Sequence, residues 1–296
     1  IFSEFGKAFY ALNNLKKMKN NRPLIIHYPH TPMAYKKKGG KFSSVNLETG
    51  DILLLGRKED YDFFKHSICK TKMRVSGLPK YDKWWIKKIV SNKKNILDLN
   101  CSAKELKKKF IITIGYYSRF DVPKFKNKEH LFENQLHKLM EVVSKISNSL
   151  IIFKLHPVRN SLSFTRVLDK YDKRIWQISK MHLTNLISLS NCFINNTDSA
   201  ACYDALSIKI PSIQIWRIKN IDPTNDVPSQ LGFVKNVKNE IELKKIFNIS
   251  KNKNHNLWKI QQKNFRKNYP YIFSTERTLK IINKELKKLN YYNNYN

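Results

Sequence analysis

The segment 188–213, SLSNCFINNTDSAACYDALSIKIPSI, constrains the fold of this chain more than any other part of its sequence. A compact and mostly apolar run at Cys192–Asn195 predicts a strand, and the polar residues 196–199 predict a turn. Good helix formers follow at 200–206, behind Ser and Asp residues of the kind that cap helices, and Pro211 marks the exit. A strand, a helix and a second strand in this order indicate a β-α-β unit.

The same alternation of short apolar runs and amphipathic segments extends along most of the chain. Further strands are predicted at 52–55, 73–76, 110–117, 150–155, 175–178 and 213–216. Helices are predicted at 58–68, 82–90, 103–108, 129–146, 162–171, 182–189, 240–249, 258–268 and 275–289. We therefore expect an α/β protein with a doubly wound parallel sheet, in which ligands bind at the carboxyl ends of the strands.

The charge of the chain is extreme, with 56 basic and 23 acidic residues among 296. Codon bias is one explanation, because Lys, Asn, Ile, Tyr and Phe are all abundant and the lysines are scattered. Attraction to polyanions such as nucleic acid, anionic lipid or anionic saccharide is the other. We find no zinc-finger spacing, RNP-like aromatic pattern, GxxG clamp or basic region with heptads, so specific nucleic-acid binding rests on charge alone.

The cysteines and the apolar runs of the chain bear on its redox compartment and on membrane spanning. Four cysteines occur without CxxC or Cys/His ligand spacing, which favours a reduced compartment over a disulfide framework or zinc site. No apolar run approaches the roughly 20 residues of a membrane-spanning helix. The first residue is Ile1 and the opening residues resemble the inside of a helix, so we expect a fragment of a longer chain.

Three polar groups directly follow predicted apolar strands. They are Gly115 to Arg119, Lys154 to Pro157, and Asn196 to Ser199. Because the carboxyl ends of parallel strands meet at one sheet edge, we expect these groups to converge there. A His, an Arg, hydroxyls and a helix start would together suit a diphosphate or phosphodiester leaving group.

Four segments, in chain order, carry a family resemblance: VSGLPKYD (75–82), FKLHP (153–157), SNCFINNTDSAACYDAL (190–206) and KIPSI (209–213). They resemble the CDP-glycerol glycerophosphotransferase and capsule-type glycosyltransferase group of GT-B proteins, over about residues 50–216. The resemblance implies a Rossmann-type C-terminal domain that binds a nucleotide donor, at 96–270, after a partial N-terminal α/β domain with linker at 1–95. Residues 271–296 are expected to form a C-terminal helix and a frayed tail.

The resemblance also implies roles for individual residues. His156 would contact the donor phosphates or sugar, with support from Lys154. Phosphate would be held by Ser199 and by the N–H groups of Ala200 and Ala201. Asp204 would face the ribose. The family's catalytic base lies in an HGTPxK-type motif, which HYPHTP at 27–32 resembles, with His30 the closer match and His27 the alternative. The other expected donor or phosphate ligands are Arg119, Thr197 and Asp198. No DxD metal motif occurs, so we expect no metal and no cofactor.

These features predict a cytoplasmic transferase of surface polysaccharide assembly. It would move a glycosyl or polyol-phosphate group from a nucleotide-activated donor to a saccharide or lipid-linked acceptor. Trp84 and Trp85, flanked by lysines, could contact an anionic membrane peripherally, or one of them could be core. The alternatives are a nucleotide-sugar 2-epimerase of GT-B architecture, or a non-catalytic module that binds anionic polymer or membrane.

Overall fold

A computed structural model describes residues 2–3, 15, 17, 23–28, 50–65, 71–91, 103–116, 128–155, 162–196, 199–216, 218, 227–269 and 274–293. Contacts divide the chain into two compact units. The first comprises Ile1–Trp85 together with Lys267–Asn296, and the second comprises Ile86–Arg266.

The first unit contains a parallel sheet of four strands in the order β1-β2-β3-β4. The strands are β1 (Phe2–Ser3), β2 (Ile26–His27), β3 (Ile52–Leu55) and β4 (Lys72–Val75). Alternating residues of β2 and β3 turn one face toward the C-terminal helix, so Ile26, Ile52 and Leu54 pack against its Ile281 and Ile282. The helices are α1 (Lys58–Phe64), a 3₁₀ turn (Pro79–Tyr81), α2 (Lys83–Ser91), which continues into the second unit, and the C-terminal helix (Ser274–Asn293).

The second unit contains a parallel sheet of six strands in the order β10-β9-β8-β5-β6-β7. Its strands are β5 (Phe110–Tyr116), β6 (Ser149–Leu155), β7 (Trp176–Ile178), β8 (Cys192–Asn195), β9 (Ser212–Gln214) and β10 (Lys235–Asn236). Strands β5, β6 and β7 extend the sheet in one direction, and β8, β9 and β10 extend it in the other. This is the strand order of a Rossmann domain, in which the chain reverses direction between the first and fourth strands.

Helices cover both faces of the six-stranded sheet. The helices of this unit are α3 (Ala103–Leu106), α4 (Glu129–Ser144), α5 (Leu162–Leu168), α6 (Leu183–Leu189), α7 (Ala201–Ser207), α8 (Val227–Gln230), α9 (Glu240–Ser250) and α10 (Asn256–Asn268). The C-terminal helix of the first unit, Ser274–Asn293, is α11. On one face α4, α5 and α9 pack against side chains such as Ile112, Ile114 and Phe153. On the other face Leu106 of α3 and Leu186 of α6 pack on Ile111 and Ile152. The strands are apolar at nearly every position because both faces are buried.

The predicted α/β fold class is confirmed, and the strand at Cys192–Asn195 has the predicted bounds. Helix ends differ by one to a few residues. The helix predicted at 182–189 begins at Leu183, because the His182 side chain accepts a hydrogen bond from Thr184 N and caps the helix. The segment predicted as helix at 58–68 is helical over Lys58–Phe64.

Among the residues described above, none of the helices has both the length and the apolar character needed to cross a bilayer. The longest, α11 (Ser274–Asn293), carries lysines along much of its length.

Candidate functional site

The point where the strand order reverses lies between β5 and β8. These strands are paired in parallel, with Gly115 opposite Asn195. The crevice beyond the carboxyl ends of two such strands is where ligands bind in doubly wound sheets, because the connections leave in opposite directions. The expected convergence is confirmed for the three strand ends themselves, since β6, β5 and β8 are neighbours in one sheet and all run parallel.

Five residues lie in register across this edge, which we call the carboxyl-edge row. Pairing places Lys154 beside Gly115, Gly115 beside Asn195, Asn195 beside Gln214, and Gln214 beside Asn236. Along this edge the row contains the ammonium group of Lys154, then Gly115, and then the side-chain amides of Asn195, Gln214 and Asn236. Such a row offers hydrogen-bond donors and acceptors to a polar ligand but no carboxylate.

Asn195 is the most informative member of the carboxyl-edge row. Its side chain is fully buried, and within the described part of the chain neither Oδ1 nor Nδ2 has a hydrogen-bond partner. A buried amide without partners costs free energy, and such groups are rare in folded proteins. At the switch point of the sheet, an amide of this kind is a candidate ligand contact.

Gly115 allows strands to approach closely at this point. A Cβ placed on Gly115 would lie 3.0 Å from Cζ of Phe193 and 3.9 Å from Oδ1 of Asn195. The absence of a side chain therefore leaves room beside the Asn195 amide. An added Cβ would require the Phe193 ring to shift slightly.

Helix α4 also contributes to this edge through Gln135, whose side chain is almost completely buried. Its Nε2 donates to the backbone oxygen of Trp216 at 2.7 Å and to that of Asn196 at 3.4 Å. The amide thus ties together the segments that leave β8 and β9. The sequence signal for Gln135 was a polar residue on the apolar stripe of a helix, and for Asn195 a polar residue that closes an apolar strand.

The turn into α7 holds three of the predicted phosphate ligands. Ser199 Oγ accepts a hydrogen bond from Ala201 N at 3.2 Å, so this N–H is already used within the protein. Ala200 occupies the N-cap position, and Asp204 lies half-buried within the helix. Phosphate contact at this turn would therefore depend on the Ser199 hydroxyl proton and the Ala200 N–H.

Lys154 reaches away from that turn. Its Nζ donates to the backbone oxygen of Lys180 at 3.0 Å, just beyond the end of β7. In the sheet, β7 and β8 lie on opposite sides of β6. The remaining two protons of the ammonium can still serve a ligand, since Lys carries three donors. The structure thus places Lys154 on the expected edge with its side chain directed toward β7.

The other predicted residues of the second unit, namely Arg119, His156, Thr197 and Asp198, lie outside the described residues, as does His30 of the first unit. Their roles stay predictions. The strand ends that precede them, Tyr116, Leu155 and Asn195, lie on adjacent strands at one edge.

His27, the alternative base, is the last residue of β2 and is fully buried. Its ring lies so close to the backbone of Gly50 that a Cβ there would be 2.4 Å from Cδ2. Burial, followed by the negative charge of Asp82, raises the pKa of the neighbouring Tyr28. The His27 ring therefore packs inside the first unit among the described residues, and its role as the alternative base stays a prediction.

The Asp that ends the VSGLPKYD segment has a clear structural partner. Asp82 is fully buried, and its carboxylate accepts hydrogen bonds from Ser274 N at 2.8 Å and from Thr275 N at 2.6 Å. These N–H groups are the first of helix α11, where the helix has no internal acceptors for them. Asp82 therefore caps a helix that lies 192 positions later in the chain.

Over the described ranges, no group of three or more His, Cys, Asp or Glu side chains is placed to hold a metal ion. Cys192 and Cys202 are buried and are not joined by a disulfide. Burial raises the pKa of the Cys192 thiol, while a hydrogen bond with Ser250 acts in the opposite direction.

Solved structures share the fold of this protein over almost the whole chain. A proposed UDP-N-acetylglucosamine 2-epimerase from Listeria monocytogenes is 14% identical, with a TM-score of 0.67 over 97% of this chain and 75% of that one. The S. aureus MnaA–UDP complex is also 14% identical, with a TM-score of 0.60 over 97% of this chain and 74% of that one. The chain has a GT-B-like fold.

A third similar structure is the wall teichoic acid polymerase TagF soaked with CDPG. It is 14% identical, with a TM-score of 0.56 over 92% of this chain and 70% of that one. No protein-family model matches the sequence, and no curated protein matches it. At this identity the likeness establishes the shared fold, and activity has to be argued from the residues of this chain.

Proposed function

We propose that this protein is a transferase that moves a glycosyl or polyol-phosphate group from a nucleotide-activated donor to a saccharide or lipid-linked acceptor in surface polysaccharide biosynthesis. The observation that carries the proposal is the buried Asn195 amide, without a partner among the described residues, at the switch point of a Rossmann-ordered sheet. Nucleotides bind at this point in such sheets. The donor is a substrate, and the proposed chemistry uses groups of the protein alone.

Two further observations support the proposal. The order of the VSGLPKYD, FKLHP and NNTDSAACYDAL segments resembles the CDP-glycerol glycerophosphotransferase and capsule-type glycosyltransferase group. The fold is shared with TagF, a wall teichoic acid polymerase, and with MnaA, whose structure contains UDP. Both observations favour a nucleotide-activated donor.

In the proposed reaction, His30 removes the proton of an acceptor hydroxyl. The acceptor oxygen then forms a bond to the sugar carbon or the polyol-bearing phosphorus of the donor, and the nucleotide phosphate leaves with the electron pair. General-base help of this kind accelerates a reaction by about 10²–10⁴-fold. His156, Arg119 and the Ser199 turn would stabilise the negative charge that develops on the leaving phosphate.

Asn195 has a different role in this proposal, since it cannot exchange a proton. Its Nδ2 would donate to a donor oxygen, and its Oδ1 would accept from a hydroxyl of the ribose or sugar. Gln135 holds the backbone around it through Asn196 and Trp216. Asn195 is therefore expected to affect donor binding more strongly than turnover.

The test is incubation of the purified full-length protein with CDP-, CMP- and UDP-activated donors. Transfer or donor hydrolysis is expected, with loss of both in His156→Ala. Lys154→Gln should weaken donor binding, whereas Lys107→Gln is the matched control, because it removes the same charge just before the amino end of β5. Absence of any donor turnover, together with equal behaviour of the two lysine variants, would reject the proposal.

A 2-epimerase is the second candidate function, because the similar structure from Listeria monocytogenes is described as one. Epimerisation at a sugar carbon needs acidic or basic groups beside it, and the carboxyl-edge row contains no carboxylate. NMR of UDP-N-acetylhexosamine after incubation separates the two activities. A change of configuration at C2 without transfer would favour the epimerase.

The proposed setting is the cytoplasmic side of a membrane, with peripheral contact through α2. Trp84 of this helix is 55% exposed and packs edge-on against Trp85. No residue of α2 is buried, and it carries Lys83, Lys87 and Lys88. Interfacial helices combine indole and lysine side chains in this way. Retention of Trp84→Ala on anionic vesicles at the wild-type level would argue against this contact.

A further inference from the structure

A second basic feature of the six-stranded unit lies away from the carboxyl-edge row. It is a groove of about 380 Å³ between helix α10 and the turn that connects α7 to β9. We call it the basic groove. Its floor includes Trp258, and its five cations are Lys209, Lys253, Lys259, Lys263 and Arg266.

The cations of the basic groove differ from many others on this surface. Elsewhere in the unit Lys138 pairs with Glu240, and Lys235 pairs with Glu242. In the described part of the chain none of the five groove cations has a carboxylate partner, and no acidic residue lines the groove. Like charges that line one concavity reinforce one another's potential, so the groove attracts anions more strongly than the same charges would if scattered.

The cations also form a row rather than a single point. Lys259, Lys263 and Arg266 are separated by four and three positions, which places them on one face of α10. With a rise of about 1.5 Å per residue, this row extends along roughly 10 Å of the helix axis. Lys209 lies across the groove, at the end of α7. A row of this length fits several successive anionic groups better than one phosphate.

Two hydrogen bonds between α10 and β9 fix the base of the basic groove. Gln261 Nε2 donates to Ser212 O at 2.8 Å, and Ser212 N donates to Gln261 Oε1 at 3.2 Å. This pair of bonds attaches α10 to the start of β9. Trp258 is 3% exposed, and over the described residues its Nε1 donor has no acceptor. The groove therefore combines a fixed floor and a basic rim.

The location of the basic groove separates it from the proposed donor site. Pro211 lines the groove and directly precedes β9, which begins at Ser212, so the groove lies toward the amino ends of the strands. The carboxyl-edge row lies at the opposite edge of the same sheet, at Asn195 and Gln214. The groove could therefore be occupied whether or not a donor is bound.

We propose that the basic groove binds a linear polyanion with closely repeated phosphate groups. A bilayer surface fits less well, because it is broad and flat whereas these cations line a concavity. Single-stranded nucleic acid also fits less well, because its binding sites use exposed aromatic rings for base stacking, and among the described residues the one aromatic ring that lines this groove is buried. The groove thus recognises a charged backbone without bases.

The test measures binding of a fluorescently labelled inorganic polyphosphate chain to the full-length protein, without nucleotide, over a series of salt concentrations. Each lysine–phosphate contact contributes about 0.7 to the slope of log affinity against log salt. Lys259→Gln combined with Lys263→Gln should therefore reduce the slope by about 1.4 and weaken binding roughly tenfold or more at low salt.

Lys280→Gln combined with Lys284→Gln is the matched control. This pair has the same spacing on the exposed surface of α11 and causes the same change in net charge. Equal weakening by the two double variants would overturn the proposal, because it would show a response to net charge alone. So would absence of polyphosphate binding to the unchanged protein at low salt.

Two other ligands complete the experiment. Tighter binding of an equally charged RNA oligonucleotide would overturn the assignment in favour of nucleic acid. Loss of binding to phosphatidylglycerol vesicles in the groove variant, in parallel with loss of polyphosphate binding, would overturn it in favour of a membrane. Failure of donor turnover would leave this result untouched, because the assay contains no donor.

Discussion

Replacement of Asp82 should release the start of the C-terminal helix α11. The carboxylate accepts hydrogen bonds from Ser274 N and Thr275 N, both at the helix N-terminus, and is fully buried. A hydrogen bond to a charged group contributes about 1.5–3 kcal/mol, and an anion is additionally stabilised by the helix dipole. Asp82→Ala removes both bonds, so we expect the free energy of opening of this helix to fall by about 3 kcal/mol.

Asp82→Asn provides a graded comparison. The amide keeps one acceptor oxygen but turns an NH₂ group toward the second N–H, so roughly half of the loss, about 1.5 kcal/mol, is expected. Asp62→Asn is the control, since Asp62 is 48% exposed and pairs only with Lys65 on the same helix. This surface change should leave α11 unaffected.

Hydrogen exchange followed by mass spectrometry measures the effect on α11 directly. A loss of about 3 kcal/mol corresponds to roughly 100-fold faster exchange of the first helical turns in Asp82→Ala. Unchanged exchange in this variant would refute the reasoning. It would mean that the packing of Ile281 and Ile282 on the first sheet holds the helix without its cap.

Three other predictions concern a carboxylate, a thiol and a glycine. Burial alone would raise the pKa of Glu285, but the hydrogen bond and charge of Lys72 lower it overall. The stabilisation is therefore present above the unfolded pKa of about 4.3 and lost as pH falls through the folded value, so Glu285→Gln should lower Tm at pH 7 and by progressively less as the pH falls below about 4. Because burial raises the pKa of Cys192, alkylation should modify this thiol in urea but not in the native protein, as mass spectrometry would show. Gly50→Ala should destabilise the protein by about 1–3 kcal/mol in urea titration, because the new Cβ would overlap the His27 ring.

Much of the fold could be predicted from the sequence because its signals are local. Apolar runs and amphipathic periodicity located strands such as β8 (Cys192–Asn195) and helices such as α4 (Glu129–Ser144) to within a few residues. The carboxyl edge could also be named as the candidate site in advance, since the segments after β5, β6 and β8 are polar. Parallel strands bring their carboxyl ends to one edge whatever their order.

The neighbours of each residue, in contrast, were decided by tertiary structure. The pairing of β5 with β8 joins residues about 80 positions apart, and it creates the switch point beside Asn195. The capping of α11 by Asp82 spans 192 positions. The basic groove joins Lys209 to a row of cations on α10. Sequence periodicity reports which face of an element is buried, but strand pairing, distant caps and shared grooves depend on which elements pack together, and that is set by the free energy of the whole chain.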